Sequence, residues 1–133
     1  MAQFAVRRAG AILAVSSFER SLAFYRDTLG LELEALYDDP PYATLVSAGA
    51  RISLAEQGHP AEDRPGIELS APADRSVASV VLVLEVDDAA EVHGRLAAEG
   101  APFLAEPYRP PWGGVRFFCV DPDGYLVEIE QPA

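Results

Sequence analysis

The residues of this sequence best suited to bind a ligand lie near its C-terminal end. Tyr108 and Trp112 belong to a loop rich in proline and glycine, and Arg116 and Glu128 belong to the apolar segments that follow. Aromatic rings on a loop offer stacking surfaces. A carboxylate inside a strand needs a partner, for which Arg116 and Arg51 are the candidates. These residue types favour a binding site for an aromatic molecule.

The other reactive residue types do not form a catalytic pattern. Cys119 lies in an apolar run and is interpreted as a small core residue, and a single cysteine excludes an internal disulfide. His59 follows a linker glycine, and His93 falls inside a predicted helix. Neither histidine stands at a spacing from Cys119 or a serine that is typical of a nucleophile and its base. The residues therefore predict no catalytic group.

The charge balance excludes several classes of partner. The chain has 133 residues and a formal charge of -11, and all ten of its basic residues are arginines. Such a domain would repel a phosphate backbone and anionic lipid headgroups, so we expect neither nucleic acid nor membrane as partner.

No stretch of the sequence approaches the ~20 apolar residues of a membrane span. The N-terminal apolar run leads into a helix cap rather than a cleavage site, which indicates a cytoplasmic protein.

The first half of the chain predicts one helix among four strands. Ser16 precedes Glu19 at capping-box spacing, and Gly30 is a stop signal, so we expect a helix over about 17–29. The predicted strands are Ala11–Val15, Leu31–Tyr37, Tyr42–Ser47 and Arg51–Glu56.

The same order then repeats. Asp88 and Glu91 form a second capping box, Gly100 ends a second helix, and the predicted strands are Val80–Val86, Pro102–Tyr108, Val115–Val120 and Tyr125–Glu130. The expected fold is α+β: two tandem βαβββ modules, over about 10–57 and 78–131, joined by a linker over about 58–77. They would form a cupped eight-stranded sheet in a single domain, with the helices outside.

Alternation along the strands predicts which residues face the helices. Val80, Leu82, Leu84, Val86, Ile52, Leu54, Val127 and Ile129 form the apolar, helix-facing set. The opposite set, which includes Ser53, Val81, Glu85, Glu128 and Glu130, would point into the cup and line a ligand cavity. A four-residue turn over 121–124 would pair Phe117 with Glu128 and place Phe117 in the same cavity.

The segments "SFERSLAFYRDTLGLEL", "VVLVLEVDDAAEVHGRLAAEGA" and "PPWGGVRFFCVDPDGYLVEIEQ" resemble the vicinal oxygen chelate superfamily, nearest its bleomycin-resistance branch. The resemblance implies metal-ligand positions at Gly10, Ser53, Val81 and Glu128 in metal-dependent members. Only Glu128 offers a usual donor, since glycine and valine have none and a serine hydroxyl is a poor zinc ligand. We therefore expect no metal and no other cofactor. The superfamily also implies a homodimer.

The leading hypothesis is a metal-free protein that sequesters an aromatic natural product or antibiotic. Its predicted ligand-binding residues are Trp112, Tyr108, Phe117, Glu128, Ser53 and Arg116. The alternative is a lyase, isomerase or dioxygenase of the same superfamily that uses Glu128 as general base or an unrecognised metal site. A third reading is a partner-binding domain without a small ligand.

Overall fold

The computed structural model describes residues 3–133, which form two compact units of α+β architecture. The first unit ends at Ala71, and the second runs from Pro72 to Ala133. The boundary lies inside the predicted linker over 58–77. Each unit contains one β-sheet with a helix against it, which confirms the predicted class and the repeat of element types.

The first unit consists of β1 (Ala11–Val15), α1 (Phe18–Ala23) with a π-helical continuation (Phe24–Thr28), β2 (Glu32–Asp38), β3 (Pro41–Ser47) and β4 (Ala50–Glu56). The strand order is β1-β4-β3-β2, with β1 parallel to β4 and the other pairs antiparallel. The helix begins one residue later than predicted, because Ser17 rather than Ser16 is the N-cap and accepts a hydrogen bond from the backbone of Arg20.

Apolar residues of one face of this sheet form the core of the first unit. Ile52 and Leu54 are buried, as the alternation predicts, and Leu45, which pairs with Ile52, is buried as well. On the opposite face Ser53 is also buried, and its hydroxyl lies 2.9 Å from that of Thr44. This contact gives each of the two hydroxyls a hydrogen-bond partner within the sheet.

The second unit consists of β5 (Val81–Glu85), α2 (Ala89–Ala98), β6 (Val115–Val120) and β7 (Leu126–Gln131), with strand order β5-β7-β6. The side chain of Asp88 accepts a hydrogen bond from the backbone of Glu91, which confirms the second predicted cap. No helix among residues 3–133 is long and apolar enough to cross a membrane.

Residues 102–108 do not form the predicted eighth strand. Within residues 3–133 they make only two isolated bridges, Phe103 to Cys119 and Tyr108 to Arg116. Prolines at 102 and 107 have no N–H to donate to a ladder, which prevents regular pairing across this segment. The described chain therefore has four strands in one sheet and three in the other.

The turn between β6 and β7 is one residue longer than predicted. One carboxylate oxygen of the buried Asp121 accepts hydrogen bonds from the backbone of Asp123 (2.8 Å) and Tyr125 (2.9 Å). The backbone N–H of Asp121 donates a hydrogen bond to the carbonyl of Tyr125, so the paired residues of the two strands start only at Val120 and Leu126. This added residue shifts the whole register of β6 on β7 by one.

The predicted pairing of Phe117 with Glu128 is consequently wrong. Phe117 pairs with Ile129, and Phe118 pairs with Glu128. The Phe117 ring packs edge-on against His93 of α2, with centroids 4.9 Å apart, and is almost fully buried. Phe117 thus lies on the helix-facing side of the sheet, and Phe118 lies on the face opposite α2.

We expect Asp121→Ala to destabilise the protein by about 3 kcal/mol, because two backbone N–H groups of the turn lose the side-chain oxygen that accepts their hydrogen bonds. Urea unfolding measures the loss. Asp74→Ala is the matched control, since Asp74 makes a similar turn contact to the backbone of Ser76 but is exposed. Equal, small losses in both variants would contradict the structural role assigned to Asp121.

Candidate functional site

The loop between Tyr108 and Arg116 holds Trp112 at its tip. The backbone groups of Tyr108 and Arg116 exchange two hydrogen bonds of 2.8 and 2.9 Å, which close the loop at its base. Gly114 has a φ of +82°, and a Cβ there would collide with the carbonyl oxygen of Gln131, so only glycine fits. The loop leaves the Trp112 side chain 72% exposed.

Arg116 extends from β6 into a group of three aromatic rings. Its guanidinium carbon lies 5.8 Å from the ring centroid of Tyr108, 5.8 Å from that of Trp112 and 5.7 Å from that of Phe118. These distances are within the range of cation–π attraction but near its limit of about 6 Å. The arginine is therefore surrounded by rings without close contact to any of them.

Glu128 is the polar group next to this aromatic cluster. Its side chain is only 9% exposed, and its Oε1 lies 3.8 Å from Nη1 of Arg116, which is too long for a hydrogen bond. Among residues 3–133 this oxygen has no hydrogen-bond partner. Burial raises the pKa of Glu128, interaction with the nearby carboxyl of Glu130 raises it further, and the positive charge of Arg116 lowers it.

The structure brings four of the six predicted ligand residues into one cluster on the face of the second sheet opposite α2: Tyr108, Trp112, Arg116 and Glu128. Phe117 lies on the other face, and Ser53 belongs to the first unit. Phe118 also belongs to the cluster, but it was not predicted, because the turn before β7 was expected to be one residue shorter. The signal available in the sequence was Asp121, whose side chain can accept hydrogen bonds at the first position of the turn.

The reactive residues outside the cluster have structural roles. Cys119 is fully buried, burial raises its pKa to about 11, and its thiol approaches the carbonyl of Val127. A thiol that stays protonated at neutral pH is a poor nucleophile. His93 stacks on Phe103 with ring centroids 4.4 Å apart, and His59 lies 2.9 Å from a carboxylate oxygen of Glu56.

A separate surface groove lies in the first unit. Its lining mixes apolar and acidic side chains, namely Phe18, Leu22, Leu36, Tyr37, Pro41, Glu19, Asp38 and Glu56, together with Ser16 and Ser17. None of the predicted ligand residues lines it. We therefore assign the candidate site to the aromatic cluster of the second unit.

The residues present do not fit a metal. Gly10, Ser53 and Val81 stand at three of the four expected ligand positions, and Glu128 alone carries a carboxylate. Residues 3–133 contain no group of three or more His, Cys, Asp or Glu side chains that could hold a metal ion. The donor chemistry of the metal-dependent enzymes is thus missing from the matching positions.

A model of the Glyoxalase/Bleomycin resistance protein/Dioxygenase superfamily matches residues 6–129. The chain belongs to this superfamily. A lactoylglutathione lyase of Salmonella typhimurium is 32% identical over 126 residues, which cover 89% of this chain and 87% of that protein. Membership was predicted from the motifs, and it is confirmed.

Solved structures with lower sequence identity share the fold of this chain. TnmS3, an antibiotic binding protein from Streptomyces sp. CB03234, has a TM-score of 0.73 and 23% identity, covering 98% of this chain and 100% of that one. TioX from Micromonospora sp. ML1 has a TM-score of 0.74 and 19% identity, covering 93% and 98%. These similarities show the fold, which by itself does not determine function.

The raised pKa of Glu128 predicts a pH-dependent effect of Glu128→Gln. As the pH rises above the ordinary pKa of 4.5, the unfolded chain releases this proton at a lower pH than the folded protein does. The free energy of unfolding of the wild type therefore decreases as the pH rises from 4.5 through the raised pKa. Glutamine has no proton to lose. We expect the stability of Glu128→Gln relative to wild type to be higher at pH 7.5 than at pH 4.

Urea midpoints at the two pH values test this expectation. Glu106→Gln, at an exposed position, controls for the change in net charge. A stability difference between Glu128→Gln and wild type that does not change with pH would contradict the assigned direction of the shift.

Proposed function

We propose that this protein binds an aromatic small molecule without a metal ion, on the face of its second sheet opposite α2. The observation that carries the proposal is the placement of Arg116 among three aromatic rings, beside a buried oxygen of Glu128 that has no hydrogen-bond partner among residues 3–133. Such a cluster combines apolar stacking surface with a small number of placed polar groups, which is the usual composition of a ligand site.

Exposure of the aromatic residues supports this proposal. Trp112 is 72% exposed and Tyr108 is 51% exposed, although both belong to residue types that usually bury most of their surface. A planar ligand stacked on Trp112 would remove this apolar area from water. The contact between the two rings would add about 0.5–1.5 kcal/mol to the binding free energy beyond the burial of apolar area.

The polar groups of the cluster support selection among aromatic ligands. Oε1 of Glu128 is an acceptor that lacks a hydrogen-bond partner among residues 3–133. A buried acceptor left unsatisfied costs about 1–3 kcal/mol. A ligand with an N–H or O–H group at this position would remove that cost, so Glu128 would favour ligands with a donor.

Sequestration of a natural product or antibiotic is the biological role we propose for this binding. TnmS3 is an antibiotic binding protein, but its likeness to this chain is one of fold. The proposal therefore rests on the aromatic cluster. We further propose a cytoplasmic homodimer, in keeping with the sequence-based expectation.

A second candidate is an enzyme that uses Glu128 as general base. The raised pKa of its buried carboxyl favours this reading, because a base with a pKa closer to neutral transfers protons more effectively. The 32% identity to a lactoylglutathione lyase places an enzyme among the relatives. Turnover of a bound compound by the metal-free protein, abolished in Glu128→Gln, would favour this candidate over sequestration.

We expect Trp112→Ala to weaken binding of a planar polycyclic antibiotic by at least about tenfold, because both stacking and buried area are lost. Titration calorimetry with bleomycin-like and mitomycin-like compounds measures the change. Tyr37→Ala is the matched control, since Tyr37 is an exposed aromatic residue of the first unit. Unchanged affinity of Trp112→Ala for a tight ligand would place the binding site elsewhere.

We expect the purified protein to contain no stoichiometric zinc, nickel, iron or manganese, because three of the four matching positions lack a usual donor. Elemental analysis of protein prepared without chelator measures this directly. About one metal ion per chain in wild type, and none in Glu128→Ala, would refute metal independence.

A further inference from the structure

The contacts of the Arg116 guanidinium are all long for their type. Its ring-centroid distances of 5.7–5.8 Å lie near the limit of cation–π attraction, and its approach to Oε1 of Glu128 is 3.8 Å. The Arg116 side chain is 33% exposed, whereas that of Glu128 is 9% exposed. The guanidinium thus lies next to three rings and a carboxyl group without a hydrogen bond to that carboxyl group.

The side chains around Arg116 have the composition of a site for organic cations. We define the cation cage as the side chains of Tyr108, Trp112, Phe118 and Glu128. Aromatic rings attract a cation through the negative faces of their π-systems, and aromatic cages are a known way to hold organic ammonium groups. Glu128 adds a carboxyl group whose Oε1 has no hydrogen-bond partner among residues 3–133.

We propose that Arg116 is the internal occupant of this cage in the free protein, and that a cationic aromatic ligand displaces it. The inference rests on the proposed function and names the ligand class: a planar aromatic body with a positive charge. The ligand body stacks on Trp112, its charge lies next to Glu128, and the Arg116 guanidinium moves toward solvent.

Displacement is physically favoured over addition beside Arg116. A ligand cation placed next to a retained guanidinium would experience like-charge repulsion at a partly desolvated site. A guanidinium released from the cage regains hydration, and its long contacts mean that little attraction is lost. The formal charge of the chain, -11, also favours the approach of a cation over that of an anion.

Two probes of nearly the same shape separate charge from stacking. 1-Methylquinolinium is a planar cation, and 1-methylnaphthalene is its neutral counterpart. We expect wild-type protein to bind the cation more tightly, as measured by equilibrium dialysis in buffer containing a chelator. Trp112→Ala should weaken both probes, because both stack on the indole.

The variants of Arg116 and Glu128 should change the affinity for 1-methylquinolinium in opposite directions. Arg116→Gln should raise its affinity by roughly threefold or more, because the competing occupant is gone. Glu128→Gln should lower it by roughly tenfold, because the charge pair is lost. Affinity for the neutral probe should change little in Glu128→Gln.

Arg109→Gln and Glu106→Gln are matched controls, since they make the same changes in net charge at exposed neighbouring positions. Thermal unfolding verifies that each variant is folded. Weaker cation binding in Arg116→Gln would mean that Arg116 contacts the ligand directly, and it would overturn displacement.

Other outcomes separate this inference from the proposed function. Equal binding of the two probes, with both weakened by Trp112→Ala, would refute the cation cage and leave aromatic binding intact. Failure of the cation to bind either wild type or Arg116→Gln would also refute the cage. The proposed function would then be judged by the antibiotic titrations alone.

Discussion

The carboxylate of Asp121 is the constraint on which the candidate site depends. It holds two backbone N–H groups of the turn between β6 and β7, and so includes Tyr125 in the turn. Side chains alternate between the faces of a sheet, so a change of one residue in register exchanges the two faces. With this turn, Phe118 lies on the same face of the sheet as Glu128, and Phe117 lies on the face that packs against α2.

The second constraint is the closure of the loop that carries Trp112. The bridge between Tyr108 and Arg116 joins the two ends of the loop, and Gly114 allows its return next to Gln131. Arg116 is therefore fixed by its backbone at the base of the loop whose tip is Trp112. One short segment thus provides both the exposed indole and the cation that faces Glu128.

Patterns that rest on local chemistry were predicted well from the sequence. The Asp88 cap follows from a hydrogen bond between near neighbours, and burial of Ile52 and Leu54 follows from alternation along one strand. Residues 102–108 were predicted as a strand because the order of elements in the first half repeats in the second. Their prolines, which cannot donate to a ladder, leave only isolated bridges.

The site was predicted in part, for a physical reason. Tyr108, Trp112, Arg116 and Glu128 follow from residue type and loop position, which the sequence displays directly. Phe118 depends on the length of a turn, and that length depends on whether the Asp121 side chain takes backbone N–H groups at two positions. Ser16 and Ser17 pose a similar choice, since either hydroxyl can cap the helix and only packing decides.

Titration of the chelator-treated protein with 1-methylquinolinium, followed in the ¹⁵N spectrum, locates the binding site most directly. Binding at the aromatic cluster should give the largest shifts at the indole N–H of Trp112 and at the backbone amides of Arg116, Phe118 and Glu128. Shifts confined to Phe117 and Cys119 on the helix-facing side, or to the first unit, would contradict it.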